Sequence, residues 1–155
     1  YAAARQSYER GIELMPRDYR MHYGRARACL ALGEKKEALK SLRKAVELNP
    51  ENIELRYLEA QTLSDIGRDK EAADRTRELL DIAPGHAHAM TLLADYYRMQ
   101  EEFDAALEFY KQAAKTLATK AYAEYYIDII QQIIEEREIE REYQERLNRE
   151  SQNNR

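Results

Sequence analysis

The chain has 155 residues, 44% of them apolar and 35% charged, with five Gly, three Pro and no Trp. That length suits a single domain spanning 1–155, and a mixture rich in Ala, Leu, Glu, Lys and Arg points to an all-α protein. A net charge of −4 disfavours a nucleic-acid binder, which shows a basic face, and no apolar run approaches the ~20 residues that insert in a membrane.

Charge is uneven along the chain. Residues 1–50 hold 11 Lys and Arg against 6 Asp and Glu, and the remainder holds 14 against 23. Solvated helix surface accounts for this without a special partner. The single cysteine, Cys29, excludes an internal disulfide framework. The chain opens on Tyr1 with no signal-peptide pattern, so it reads as a piece of something longer, with a cytoplasmic setting favoured.

From the N-terminus, the first predicted element is a helix over 1–16, stopped by Pro16, which lacks the amide proton needed to continue. Asp18 is placed to cap a second helix that runs to Gly33, where the left-handed conformation ends it. A third helix runs to Pro50. Asn52, Gly67 and Pro84 repeat the same punctuation for the next pair. The pair after that starts at His86 but has Glu101 in place of Gly and Ala118 in place of Pro. Thr119 is the expected N-cap of a last helix, 119–155, whose Tyr122, Tyr126, Ile129, Ile130, Ile133 and Ile134 form a wide apolar stripe. That stripe reads as a cap on the stack. Beyond it a thin apolar line, Ile139, Tyr143 and Leu147, continues between charges; it reads as a fraying extension or as a seam for self-association. Glu142–Arg146 and Glu145–Arg149 are expected as i,i+4 pairs, worth only ~0.3–0.5 kcal/mol each.

The punctuation has a period of 34 residues. Ala4, Ala38, Ala72 and Ala106 keep that step, as do Pro16, Pro50 and Pro84, and Ala26, Ala60 and Ala94. Tyr8, Leu42, Thr76 and Tyr110 keep it more loosely. Small residues at 26 and 38 would let two helices approach closely, and neither hairpin buries its apolar face alone, so the units must stack. The units are 17–50, 51–84 and 85–118, preceded by 1–16 as the second helix of a truncated unit.

A 34-residue helix–turn–helix carrying Gly33, Ala38, Leu42, Ala45 and Pro50, then Gly67, Ala72 and Pro84, resembles the tetratricopeptide repeat (TPR) family over residues 1 to about 118. The resemblance implies a right-handed α-α superhelix of about three and a half repeats with a long C-terminal capping helix. The first helix of each unit departs from the family pattern. His22, Arg56 and Met90 stand where Trp is usual; Arg25 and Glu59 stand with Leu93 in a Leu slot; Cys29 and Leu63 stand with Tyr97 in a Tyr slot. A buried Arg25 or Glu59 would need a charged partner, and pairing with each other or with nearby charges is expected.

No active-site constellation is legible. His22 and Cys29 share a helix face, yet both fall in slots the family packs inward. His86 and His88 lack further metal-ligand neighbours in sequence. No metal, no cofactor and no catalytic residue is expected. What remains is surface. In the family the first helices of the units line a concave groove that takes a peptide or helix of a protein partner. Carrying its groove slots over gives Arg20, Tyr23 and Arg27, then Tyr57 and Gln61, then His88, Asp95 and Arg98. The chaperone-binding carboxylate clamp of some members maps onto Tyr23, Arg27, Leu58, His88 and Leu92; only Arg27 is cationic, so that partner is disfavoured. The leading expectation is a non-catalytic interaction scaffold. Its alternatives are a self-assembly module, giving a homo-oligomer through the last helix or the exposed end repeat, and the non-catalytic arm of a larger enzyme.

Overall fold

A computed structural model describes residues 1–153. Eight helices follow one another: α1 Ala2–Leu14, α2 Tyr19–Ala31, α3 Lys35–Leu48, α4 Ile53–Asp65, α5 Asp69–Ile82, α6 Ala87–Met99, α7 Phe103–Ala113 and α8 Leu117–Asn153. Each packs chiefly on its sequence neighbours, and α8 also reaches back to α6. The result is a stack of hairpins in which α2/α3, α4/α5 and α6/α7 are successive layers.

The small residues of the 34-residue register lie where the helices cross. Ala26, Ala38, Ala60, Ala94 and Ala106 are wholly buried and Ala72 nearly so. Without bulk at those points the helix axes close in, and Leu42, Leu63, Leu79 and Leu93 fill the space between layers. Burying each such side chain contributes roughly 1.5–3 kcal/mol.

The punctuation works as local chemistry requires. Asp18 accepts from the Arg20 amide at 2.9 Å, Asn52 from Leu55 at 3.1 Å, and the His86 Nδ1 from Ala89 at 3.1 Å. Gly33 and Gly67 take positive φ of 77° and 76°. Glu101, which replaces the third glycine, takes the same conformation at φ 59°. The tertiary fold thus imposes on a glutamate a backbone state that costs an L-residue about 1–2 kcal/mol. Glu101 also accepts an ion pair from Arg137 of α8 at 2.9 Å.

The start of the last helix differs from expectation. α8 begins at Leu117, and Thr119 is not its N-cap. Thr119 is buried inside the first turn, and its hydroxyl donates to the Ala113 carbonyl at 2.6 Å, closing the sharp turn that follows a short α7. The inward face of α8 is Ala123 and Ile130, both wholly buried, with Tyr126, Ile127 and Ile134 packed beside them. From Glu135 to Gln152 every residue is exposed. Of the two expected helix pairs there, Glu145–Arg149 closes at 3.3 Å and Glu142–Arg146 does not form.

Arg25 and Glu59 do not pair with each other; nearby charges meet each. Arg25 lies 3.2 Å from Glu9 and 3.7 Å from Glu37, and it donates to Ser41 at 2.6 Å. Glu59 is 4% exposed, with Arg43 at 3.7 Å and Arg75 at 3.9 Å.

Candidate binding groove

The first helices of the layers, α2, α4 and α6, form one wall, with the start of α8 in the next position. Two clefts open on that wall. The N-terminal one, about 450 Å³, lies between α1 and α2 and gathers Arg20, Tyr23 and Arg27 opposite Ala4 and Tyr8. Gly24 forms its floor: the Tyr8 ring lies so close that an added Cβ would sit 2.2 Å from it. The C-terminal cleft, about 300 Å³, is lined by Tyr57, Gln61, His88, Thr91 and Tyr122, with Asp95 beside them.

Their polar groups are not equally available. Arg20 is tied to the cap residue Asp18 through Nε at 2.9 Å and Nη2 at 2.7 Å. The Tyr23 hydroxyl donates to Glu54 and so links α2 to α4. Arg27 makes no ion pair among the described residues; its guanidinium sits 5.7 Å from the Tyr23 ring centre, a weak cation–π contact. Arg27 and Gln61 are both exposed. The groove therefore offers one unneutralised cation beside an aromatic ring at one end, and amide, imidazole and phenol groups at the other.

Asp95 and Arg98 serve the chain itself. Asp95 accepts from the hydroxyls of Tyr110 at 2.5 Å and Tyr122 at 2.7 Å, and Arg98 lies 3.3 Å from it. Arg98 also donates to the Tyr110 hydroxyl at 3.2 Å and packs over the Tyr126 ring at 4.4 Å. Burial and the neighbouring Asp95 push both phenols well above their ordinary range. One carboxylate on α6 thus holds α7 and α8 together. Arg98 contributes to that joint and lines neither cleft.

His22, His86 and Cys29 have structural roles. His22 is buried, with Nε2 2.9 Å from the Pro16 carbonyl. Cys29 is wholly buried, and burial pushes its thiol up, away from the thiolate a nucleophile needs. His86 caps α6 and packs against Tyr57 with ring centres 5.0 Å apart; His88 lies 6.1 Å from the same ring. Burial, aided by His88, pushes the His86 pKa below its ordinary 6.5. Protonation would remove the nitrogen lone pair that accepts from Ala89 and put a cation at the positive end of the α6 dipole. Because the folded-state value is depressed, this contribution is present above pH ~6.5 and is lost as pH falls through the folded value. The thermal midpoint should therefore drop between pH 8 and pH 5.5. His86→Asn, which installs the cap found at Asn52, should reduce that drop; an unchanged drop would remove His86 as its source.

The 34-residue register runs on into the last helix. Tyr122 lies 34 residues after His88, and Tyr125 lies three periods after Tyr23. Tyr122 lines the C-terminal cleft.

Two profiles of the tetratricopeptide repeat match the chain, one over residues 1–53 and one over 36–95, together more than half its length. The chain belongs to the tetratricopeptide repeat family. Its all-α superhelix is also that of several solved structures. A crystal structure of MamA is 20% identical, with a TM-score of 0.75 over 81% of this chain and 74% of that one. MamA 41-end from Desulfovibrio magneticus RS-1 is 19% identical, with a TM-score of 0.76 over 83% and 73%. At such identity the likeness concerns the fold. A search of curated protein sequences found no match. Among the described residues no helix is long and apolar enough to cross a membrane.

Proposed function

We propose that this TPR domain is a non-catalytic interaction scaffold that holds an extended peptide or a helix of a protein partner along its concave wall. The observation that carries the reading is the pair of clefts on one wall. Arg27, exposed and without an ion-pair partner beside Tyr23, marks one, and Tyr57 with His88 marks the other. Tyr and Arg are the side-chain types enriched at binding hot spots, and a rigid stack presents them at little entropic cost. Arg20, Gln61 and Asp95 complete the lining.

A pull-down from the source cell extract tests this, comparing the parent chain with Tyr23→Ala/Arg27→Ala/Tyr57→Ala. Circular dichroism checks that the variant is folded. Partners recovered by the parent should be lost from the folded variant. Recovery of the same partners by both would place binding elsewhere.

A further inference from the structure

α8 carries a second apolar face that the body does not cover. Tyr125 and Tyr143, 60% and 53% exposed, are eighteen residues apart, five helical turns, and so point the same way. At about 100° per residue, Tyr122, Ile129, Ile139 and Leu147 fall within about 60° of that direction, whereas the buried Ala123 and Ile130 lie roughly 140–160° away. Ile139 is 61% exposed and Leu147 41%. The direction is that of the concave wall, since the Tyr122 hydroxyl reaches Asp95 at the C-terminal cleft. The stripe therefore starts in that cleft and runs out along the projecting part of α8, whose eighteen exposed residues from 135 to 152 extend about 27 Å.

The charge on this face is mostly acidic. Glu136 and Glu150 lie within about 20° of its centre, among the apolar side chains, and Glu140 and Glu135 flank it at about 60° and 80°, against Arg146 alone. The other arginines, Arg137, Arg141 and Arg149, lie more than about 100° away. Arg137 is held on the body by Glu101 at 2.9 Å and lies over the Phe103 ring. A second copy of the same helix would bring glutamates against glutamates across the seam, which works against self-pairing. The complementary surface is apolar side chains interspersed with cations.

We propose that the exposed stripe of α8 is the outer continuation of the groove and docks a basic amphipathic helix of a partner protein. The partner's apolar side chains lie on Tyr125, Ile139, Tyr143 and Leu147, and its Lys or Arg residues meet Glu136, Glu140 and Glu150 between and beside them. The inner end of this surface rests on the groove reading; the projecting half does not depend on it.

The probe is a fluorescein-labelled 18-residue Leu/Lys amphipathic peptide, titrated by anisotropy at physiological salt, with a Leu/Glu peptide of the same pattern as control. The Leu/Lys peptide should bind the full chain, and Ile139→Ser/Tyr143→Ser/Leu147→Ser should weaken it roughly tenfold or more. These side chains are exposed and their helix stretch is unpacked, so an unchanged thermal midpoint confirms that the body is intact. Equal binding by the serine variant, or equal binding of the Leu/Glu peptide, overturns the proposal. Loss of binding in Tyr23→Ala/Arg27→Ala/Tyr57→Ala but not in the serine variant also overturns it and leaves the groove reading standing. Loss in the serine variant alone supports it. In sedimentation velocity, a dimer of the parent chain that the serine substitutions abolish would assign the stripe to a second copy and overturn the proposal as well.

Discussion

Asp95→Ala should lower the unfolding free energy by about 2–4 kcal/mol and loosen the first turns of α8 more than any other part of the molecule. The Asp95 carboxylate accepts from Tyr110 on α7 and Tyr122 on α8 while lying on α6 beside Arg98. Tyr110 is wholly buried, so its hydroxyl proton would lose its charged acceptor. A buried donor left unsatisfied costs about 1–3 kcal/mol, and hydrogen bonds to a charged group contribute about 1.5–3. Arg98, half-buried over Tyr126, would lose its carboxylate at the same time. Tyr122→Phe should cost much less, because Tyr122 is 44% exposed and water can take its place. Denaturant titration gives the energies, and hydrogen exchange over residues 117–134 localises the effect. A loss below roughly 0.5 kcal/mol for Asp95→Ala, with α8 protection unchanged, would refute this account of the joint.

Glu59→Leu should act in the opposite direction, raising stability by about 1–3 kcal/mol at neutral pH. Glu59 is 4% exposed, and its two cations stand at 3.7 and 3.9 Å, beyond hydrogen-bonding distance. Burial pushes its carboxyl above the usual range, against the opposing pull of Arg75 and Arg43. Desolvation of the carboxylate thus outweighs its attraction to the arginines. One period later the same slot holds Leu93, 1% exposed, which shows that the layer geometry accepts leucine. Removing Glu59 leaves each arginine a carboxylate, Glu71 for Arg43 and Glu78 for Arg75; the Arg75 Nε, buried and without a hydrogen-bond partner, loses the carboxylate beside it, which limits the gain. The pH dependence has a defined sign. A raised folded-state value makes the glutamate costly as pH rises from its ordinary 4.5 through that value, so the gain from leucine should be larger at pH 7 than at pH 4. Destabilisation by leucine at pH 7 would mean that the ion pairs outweigh the desolvation.

Much of the fold was legible because its determinants are local and repeated. A small residue is needed wherever two helix axes cross, a side-chain acceptor wherever a helix starts, and a left-handed residue wherever one ends. The 34-residue step exposes all three through Ala26/Ala38, Asp18/Asn52/His86 and Gly33/Gly67. The third unit and the last helix are less legible because tertiary demands override local signals there. Glu101 adopts the glycine conformation with no glycine to announce it, and Thr119 serves a turn in place of a cap. Within the groove slots, sequence register gives direction but not availability. Arg27 and Gln61 emerge exposed, whereas Asp95 and Arg98 are engaged by tyrosines that lie 12 to 28 residues further along the chain. Such pairings depend on which side chains meet across layers, and one sequence does not state them.

The groove reading itself is met most directly by site-specific photo-crosslinking. A photoreactive phenylalanine at position 61, in the C-terminal cleft, is compared with one at the exposed Asp74 of α5, on the second helix of the same hairpin. Irradiation with the partner extract should give a discrete crosslinked band from position 61 and none from position 74. A band from position 74 with none from position 61 would contradict the assignment of the concave wall as the binding surface.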